Sequence, residues 1–318
     1  MNEDQPLIAK AQKAELAQLE KSHAARTSVY AAVGLTGFKL LVGVISNSLG
    51  ILSEAAHSGL DLVAAIVTLL AVRVSSRPAD DEHLYGHGKI ENLSALFETL
   101  LLLATCVWII SEAIDRLFVK SVEVDPSVWT FIVMATSIVI DYNRSRLLYR
   151  TARKYHSQAL EADALHFHTD IWSSSVVIFG LIGVLIGRVD PALAFLKKAD
   201  AVAALGVAVI VVWVSGQLGK RTIMALLDTA PQGLRITIKK TVEEMSGVCD
   251  CHKIRVRTSG HHLFVDAHVL LDHRQTLQQA HDLTDQIEAA IQQIAPEADV
   301  TVHPEPDVVV HPEPDDDG

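Results

Sequence analysis

His57 and Asp61 stand four residues apart, and His166 and Asp170 repeat the frame. On an α-helix, residues at i and i+4 share one face, so each copy presents an imidazole beside a carboxylate. Two such helices meeting would offer two nitrogens and two carboxylates, a donor set that a tetrahedral zinc ion accepts. Each copy lies inside or at the mouth of an apolar stretch, where Asp or Lys at mid-helix costs roughly 2.5–3.5 kcal/mol on insertion scales. Four such groups at matched spacing mark an ion site. Metal binding to His and Asp displaces protons, and His titrates near neutrality. A site of this kind can therefore exchange metal for protons across a bilayer.

Other groups invite the same question. The loop Pro78-Ala-Asp80-Asp-Glu-His83-Leu-Tyr-Gly86-His87-Gly88-Lys89 brings Asp80, His83 and His87 into a short, glycine-bent segment. It is either a metal site or a solvated connector, and spacing leaves both open. Towards the C-terminus, His252, His268, His281 and His303 sit on or at the ends of short elements, with Glu305 two residues beyond the last. Cys249-Asp-Cys251 is a weak metal motif, and buried small hydrophobes are the favoured reading. Lys39 and Glu98 are further charges within apolar stretches; they pair with each other, with backbone, or line a wetted cavity. His168 points about 200° away from His166 on a helix, which suits packing better than ligation.

The elements that position these groups follow from hydropathy. The chain has 318 residues, 49% of them hydrophobic, and a net charge of −11 concentrated in part at the acidic C-terminus. No basic nucleic-acid footprint is present, and three cysteines make no disulfide framework. Residues 1–27 are polar and helix-prone, a charged amphipathic arm rather than a cleavable signal peptide. Six apolar segments follow, at about 29–48, 51–75, 92–117, 127–147, 162–187 and 201–219, each near the roughly 20 residues a bilayer requires. Lys10, Lys13, Lys21, Arg26, Arg77, Lys89, Arg144, Arg146, Arg150, Arg153, Lys154, Lys220 and Arg221 fall on one side. The other side holds Lys120, Arg188, Lys197 and Lys198. Both termini are therefore expected in the cytoplasm.

After Asp228-Thr-Ala-Pro231 the pattern changes. A helix is expected at 232–246, strands at 252–258 and 262–271 around a Ser259-Gly260 turn that leaves His261 and His262 exposed, a helix at 274–294 and a strand at 298–303. This αββαβ order predicts a small α+β domain. The tail repeats His-Pro-Glu-Pro-Asp at 303–307 and 311–315. Its alternate prolines exclude a helix and argue against a strand. The expected organisation is an arm at 1–27, a transport domain at 28–220, a linker at 221–231, a metal-binding domain at 232–306 and an acidic, disordered tail at 307–318.

With these motifs in place, the chain from about 28 to 306 resembles the cation diffusion facilitator family, nearest to its short bacterial zinc/ferrous-iron efflux branch. The resemblance rests on six spans, the paired frames, the Asp-x-x-His-x-x-Gly-His-Gly-Lys loop and Ala225-Leu-Leu-Asp228-Thr-Ala-Pro231. It also includes Gln279-Ala-His281 and Val302-His303. It implies a six-helix membrane bundle with a ferredoxin-like cytoplasmic domain, a homodimer, and efflux of a divalent metal in exchange for protons. The implied transport site is His57, Asp61, His166 and Asp170, and the implied loop site Asp80, His83 and His87. A binuclear site at the dimer interface would use His252, His268, His281 and His303, with Glu305 where an Asp is usual. Lys89 and Asp228 match the family's interlocking salt bridge. The branch commonly has Asp where this chain has His57, and a second imidazole favours Zn(II) over harder cations. Co(II), Cd(II) and Fe(II) are alternative substrates.

Two other function classes are weaker. A membrane zinc hydrolase would need an open coordination position and a general base, and no His-Glu-x-x-His occurs. A non-transporting metal receptor, with the quartet only stabilising the bundle, is the remaining alternative.

Overall fold

Helix formers run without Gly or Pro from Leu7 to Val33, and in the computed structural model this stretch belongs to one helix, α1 (Asp4–Ile45). The structure describes residues 4–118, 127–189, 199–260, 262–296 and 298–307. The arm expected as a separate element is thus continuous with the first span. At its far end Gly43 lets α2 (Leu49–Ser75) approach, because a Cβ there would lie 2.9 Å from a Leu52 methyl. Asn47 turns the chain at φ +49, and Ser48 caps α2 by accepting from the Ile51 amide. The remaining long helices are α3 (Lys89–Phe118), α4 (Val128–Tyr155), α5 (Gln158–Val189) and α6 (Ala199–Leu226).

The chain divides into two compact units, Met1–Ile223 and Met224–Gly318. Among the described residues, four helices are long and apolar enough to cross a membrane: Glu15–Ile45, Ile51–Ser75, Lys89–Asp115 and Leu205–Leu226. α4 and α5, with 28 and 32 residues, are as long, and α4 is the more polar of the two. At 1.5 Å per residue each still exceeds the roughly 30 Å hydrocarbon core. Their polar groups, Asp141, Arg144, Asp163 and His166, are buried inside the unit. The outside is apolar: Leu60, Trp108 and Trp213 are 66%, 63% and 65% exposed. A polar interior beneath an apolar exterior is the inverse of a water-soluble bundle and suits a lipid surround.

Buried polar contacts tie the helices together. Arg144 donates to Asp141 at 3.1 Å and to Ser28 at 3.2 Å, and its guanidinium lies 3.5 Å from the Phe167 ring centroid. Ser28 donates to Asp163 at 3.3 Å, so α1, α4 and α5 share one network. Lys39 donates to Ser58 at 2.7 Å and approaches Glu54 at 3.4 Å, whereas Glu98 accepts from Thr68 at 2.9 Å. The two intramembrane charges do not pair with each other. Arg144 and Lys21, counted from sequence among the basic residues of one membrane side, are both buried in ion pairs.

The second unit holds α7 (Leu234–Glu243), β1 (Val248–Ser259), β2 (His262–Leu271), α8 (Leu277–Ile294) and β3 (Ala298–Pro306). The sheet order is β1-β2-β3, antiparallel and then parallel. Ile238, Val242, Cys251, Val265, Ile287 and Ile291 lie in the core between helices and sheet. Thr276 and Gln279 close α8 with a capping box. Gly260, at φ +62, turns β1 into β2. His262 begins β2, and His261 lies outside the described residues.

Two differences from the sequence expectation have clear causes. β1 begins at Val248 rather than 252, with register shifts between Val248 and Asp250 and between His252 and Arg255. Lys253, at φ +48, is the bulge residue. β3 continues through Pro304 and Pro306, where the alternate prolines argued against a strand. The reason is geometric. β3 is an edge strand, and the Asp307 amide donates to Leu271 O at 2.7 Å. Alternate amides point opposite ways, so the nitrogens of Pro304 and Pro306 face away from β2, where no donor is required. The second His-Pro-Glu-Pro-Asp copy lies outside the described residues.

Candidate metal centres

α2 and α5 each deliver an i, i+4 pair, and the pairs meet. His166 Nε2 lies 3.1 Å from Asp61 Oδ1 and 3.7 Å from Asp170 Oδ2. His57 Nε2 lies 3.9 Å from Asp61 Oδ1 and 3.8 Å from Asp170 Oδ1. The ligand atoms of Asp61, His166 and Asp170 fall within 4.8 Å of one another. Their side chains are 5–14% exposed, and that of His57 is 28% exposed. Two imidazoles facing two carboxylates in a mostly buried pocket would carry net negative charge when the rings are neutral. A divalent cation neutralises that charge, and so do protons on the rings; the two compete. His168 is outside this set: its Nδ1 lies 3.2 Å from Ser145 Oγ on α4.

The loop after α2 curls around one carboxylate. Asp80 Oδ1 accepts from the amides of His83 and Glu82 at 2.6 and 3.1 Å. Its two oxygens lie 3.1 Å from His83 Nδ1 and 3.3 Å from His87 Nε2. The rings of His83 and His87 stand 4.4 Å apart. Gly86, at φ +71, permits the bend that turns His87 back. The backbone N–H of His83 leads the contacts that hold the Asp80 carboxyl below its ordinary value. An ionised carboxylate between two imidazoles on a tight loop is a ligand set that suits a borderline divalent cation such as zinc.

In the sheet, register does the positioning. His252 pairs with His268 across β1–β2, and His268 with His303 across β2–β3, so three histidines form a row. The His268 and His303 rings are 4.9 Å apart. Glu305 bridges its neighbours: Oε1 lies 2.6 Å from His268 Nδ1, and Oε2 lies 3.1 Å from His252 Nε2. The His268 contact is the main cause holding the Glu305 carboxyl below its ordinary value. Asp250, a residue that the sequence reading left in the cysteine motif, stands behind His252, with Oδ2 2.9 Å from Nδ1. Both nitrogens of that ring therefore face carboxylates, yet a neutral imidazole has one N–H.

His281 is not brought to this group. It sits on α8, with Nδ1 3.8 Å from Asp285 and its side chain 66% exposed. The cysteines separate too: Cys251 is fully buried and Cys249 exposed. Burial pushes the Cys251 thiol up to about 11. Lys89 opens α3 and Asp228 occupies the turn after α6 at φ +59. Sequence reasoning also passed over Asp141 and Asp163, although both lie within expected spans and obey the same rule that singled out Lys39 and Glu98.

These geometries agree with what the chain resembles. The description "cation efflux transmembrane domain" matches residues 25–227, and "cation efflux protein, cytoplasmic domain" matches residues 231–307. A protein named cation-efflux pump FieF from Serratia proteamaculans (strain 568) is 30% identical over 287 residues, covering 87% of this chain and 91% of that relative. One of the same name from Salmonella newport (strain SL254) is 31% identical over 287 residues, covering 89% and 91%.

Proposed function

This chain belongs to the cation efflux, or cation diffusion facilitator, family, and on that premise we propose that it exports Zn2+ from the cytoplasm in exchange for protons. It is a multi-pass membrane transporter with a cytoplasmic domain, not an enzyme. The observation that carries the finer reading is the convergence of His57, Asp61, His166 and Asp170. Two imidazoles and two carboxylates suit tetrahedral Zn2+. Co2+, Cd2+ and Fe2+ are alternative substrates for the same donors. Metal arriving from the cytoplasm takes the ring nitrogens and releases their protons. On the far side, incoming protons take the rings back and release the metal. The carboxylates hold whichever cation is present, so the pocket never stands uncompensated.

The transport domain spans residues 28–220, the linker 221–231 and the metal-binding domain 232–306. Residues 1–27 extend the first span towards the cytoplasm, where both termini lie, and 307–318 form an acidic tail. The protein works as a homodimer in the inner membrane, held near the membrane surface by Lys89 and Asp228. His252, His268, His303 and Glu305 form the regulatory site at the interface. His281 stands apart from them within one chain, so its share in that site requires the second copy. Asp80, His83 and His87 form the loop site.

The deciding experiment is zinc flux into proteoliposomes under an imposed pH gradient, with the intact protein and Asp170→Ala. Gradient-dependent flux that disappears in the variant supports the antiporter and its site. Flux that survives moves the ion path elsewhere. Zinc binding without flux in the intact protein would leave a metal receptor.

A further inference from the structure

His166 has a second nitrogen, and it points away from the quartet. Nε2 faces Asp61 and Asp170, while Nδ1 lies 3.9 Å from Glu98 Oε2 on α3. Both of these atoms are buried, and neither has a hydrogen-bond partner. Glu98 is fully buried, with its other oxygen held by Thr68 Oγ1 at 2.9 Å. An orphaned buried donor is destabilising, as is an orphaned acceptor. Two orphans facing each other across less than one hydrogen-bond length of excess are satisfied together by a small closure. The chemistry of the site requires the same closure. A neutral imidazole that gives Nε2 to a metal must carry its proton on Nδ1, and that proton needs an acceptor at a buried position.

We propose that Glu98 is a positioning residue for the transport site: its Oε2 accepts the Nδ1 proton of His166 and fixes the tautomer that presents Nε2 to the metal. The proposal rests on the quartet being the transport site. Thr68 completes the relay by anchoring the carboxylate from α2, the helix that supplies His57 and Asp61. One carboxylate on α3 thereby orients a ligand on α5 while tied to the helix of the other ligand pair. Carboxylate–histidine–metal arrangements of this type change metal affinity by about 10–100-fold when the carboxylate is removed.

The test uses the full chain in proteoliposomes, with zinc flux measured as apparent KM and maximal rate for Glu98→Gln, Glu98→Met and Thr68→Val. Glutamine keeps a carbonyl acceptor for Nδ1–H, whereas methionine fills the space without one. The expected result is a KM for Glu98→Met about 10–100-fold above the parent, near-parental behaviour for Glu98→Gln, and a smaller KM rise for Thr68→Val. An unchanged KM in Glu98→Met overturns the proposal. Equal losses in Glu98→Gln and Glu98→Met also overturn it, because they assign the role to charge rather than to hydrogen-bond acceptance. If Glu98→Met does not fold, Thr68→Val decides: a raised KM supports the relay and an unchanged KM refutes it. Asp170→Ala, run alongside, separates the two levels. Retained flux there defeats the transport-site reading itself, whereas lost flux with an unaffected Glu98→Met defeats only the positioning role.

Discussion

Lys21 Nζ donates to Glu91 Oε1 at 2.7 Å, and their side chains are only 3% and 4% exposed. Glu91 also accepts from Ser75 at 3.0 Å and from Ser157. A single carboxylate thus gathers α1, the last turn of α2, the first turn of α3 and the two-residue link before α5. Removing one partner of a buried ion pair typically costs about 3–5 kcal/mol, because the other charge is left buried alone. Glu91→Leu strands an ammonium and two hydroxyls and should cost that much in denaturant unfolding in detergent. Lys21→Met leaves Glu91 with both hydroxyl donors and should cost less. The double variant should recover part of the Glu91→Leu loss. Equal costs for the two single variants would show that the serines contribute nothing.

Glu305 gives a pH prediction. Its carboxyl is held below the ordinary value chiefly by His268. A depressed carboxyl pKa contributes stability that is present above the unfolded value, near 4.3, and is lost as pH falls through the lower folded value. Glu305→Gln should therefore weaken the metal-free cytoplasmic domain at neutral pH and leave it unaffected at pH values below the carboxylate range. Urea midpoints of the full chain, followed by a probe in that domain at the two pH values, check this. A midpoint difference that persists undiminished in acid would rule out the His268–Glu305 contact as its source.

Asp250 bears on the same cluster. Standing 2.9 Å behind His252 Nδ1, it orients the ring so that Nε2 faces Glu305. Asp250→Ala should weaken zinc binding at this cluster by about 10–100-fold without moving the quartet's flux at saturating zinc. Binding to the full chain, measured with Asp170→Ala and Asp80→Ala together as background, isolates the cluster from the quartet and the loop site. Unaltered affinity would reduce Asp250 to a surface partner of Lys239, which approaches it at 3.4 Å.

What was legible in sequence depended on whether the physics was local. The quartet could be found because helical periodicity and the cost of intramembrane charge are both local. The pairing of His252, His268 and His303 in one row could not, since it depends on strand register and on a bulge at Lys253. Lys21 and Arg144 look like surface charges because a basic residue's burial is decided by what packs over it, here Glu91 and Asp141. Pro304 and Pro306 argued against a strand only while its place at the sheet edge was unknown. Ser157 carried no signal at all, since serine before a helix is already explained as a cap.

His57 sets a selectivity prediction. It is the most exposed member of the quartet, its ring 6.4 Å from that of Trp108, so a shorter side chain fits without opening a sealed core. His57→Asp exchanges an imidazole for a hard oxygen donor and leaves a site with three carboxylates and one ring. Oxygen donors favour Mn2+ and Fe2+, and imidazole favours Zn2+. The variant should lose zinc preference, with the ratio of Fe2+ to Zn2+ flux rising. Competition flux at matched metal concentrations measures that ratio, and an unchanged value would place selectivity outside the quartet.

Cys251 and Cys249 should differ in reactivity despite lying two residues apart. Thiolates react and thiols do not. Burial holds the Cys251 thiol protonated up to about pH 11, whereas Cys249 is exposed. In the folded chain at pH 8, iodoacetamide should modify Cys249 and spare Cys251, and denaturant should release Cys251 together with the buried Cys106. The same raised value fixes an alkaline trend. Unfolded thiols lose protons near pH 8.5 while folded Cys251 keeps its proton, so its contribution to stability is complete below that pH and falls as pH rises towards 11. Cys251→Ala should flatten this alkaline decline, although the cavity it leaves lowers stability at every pH. An equally steep decline in the variant would assign the alkaline loss to other groups, and rapid labelling of Cys251 in the native protein would contradict its place in the core.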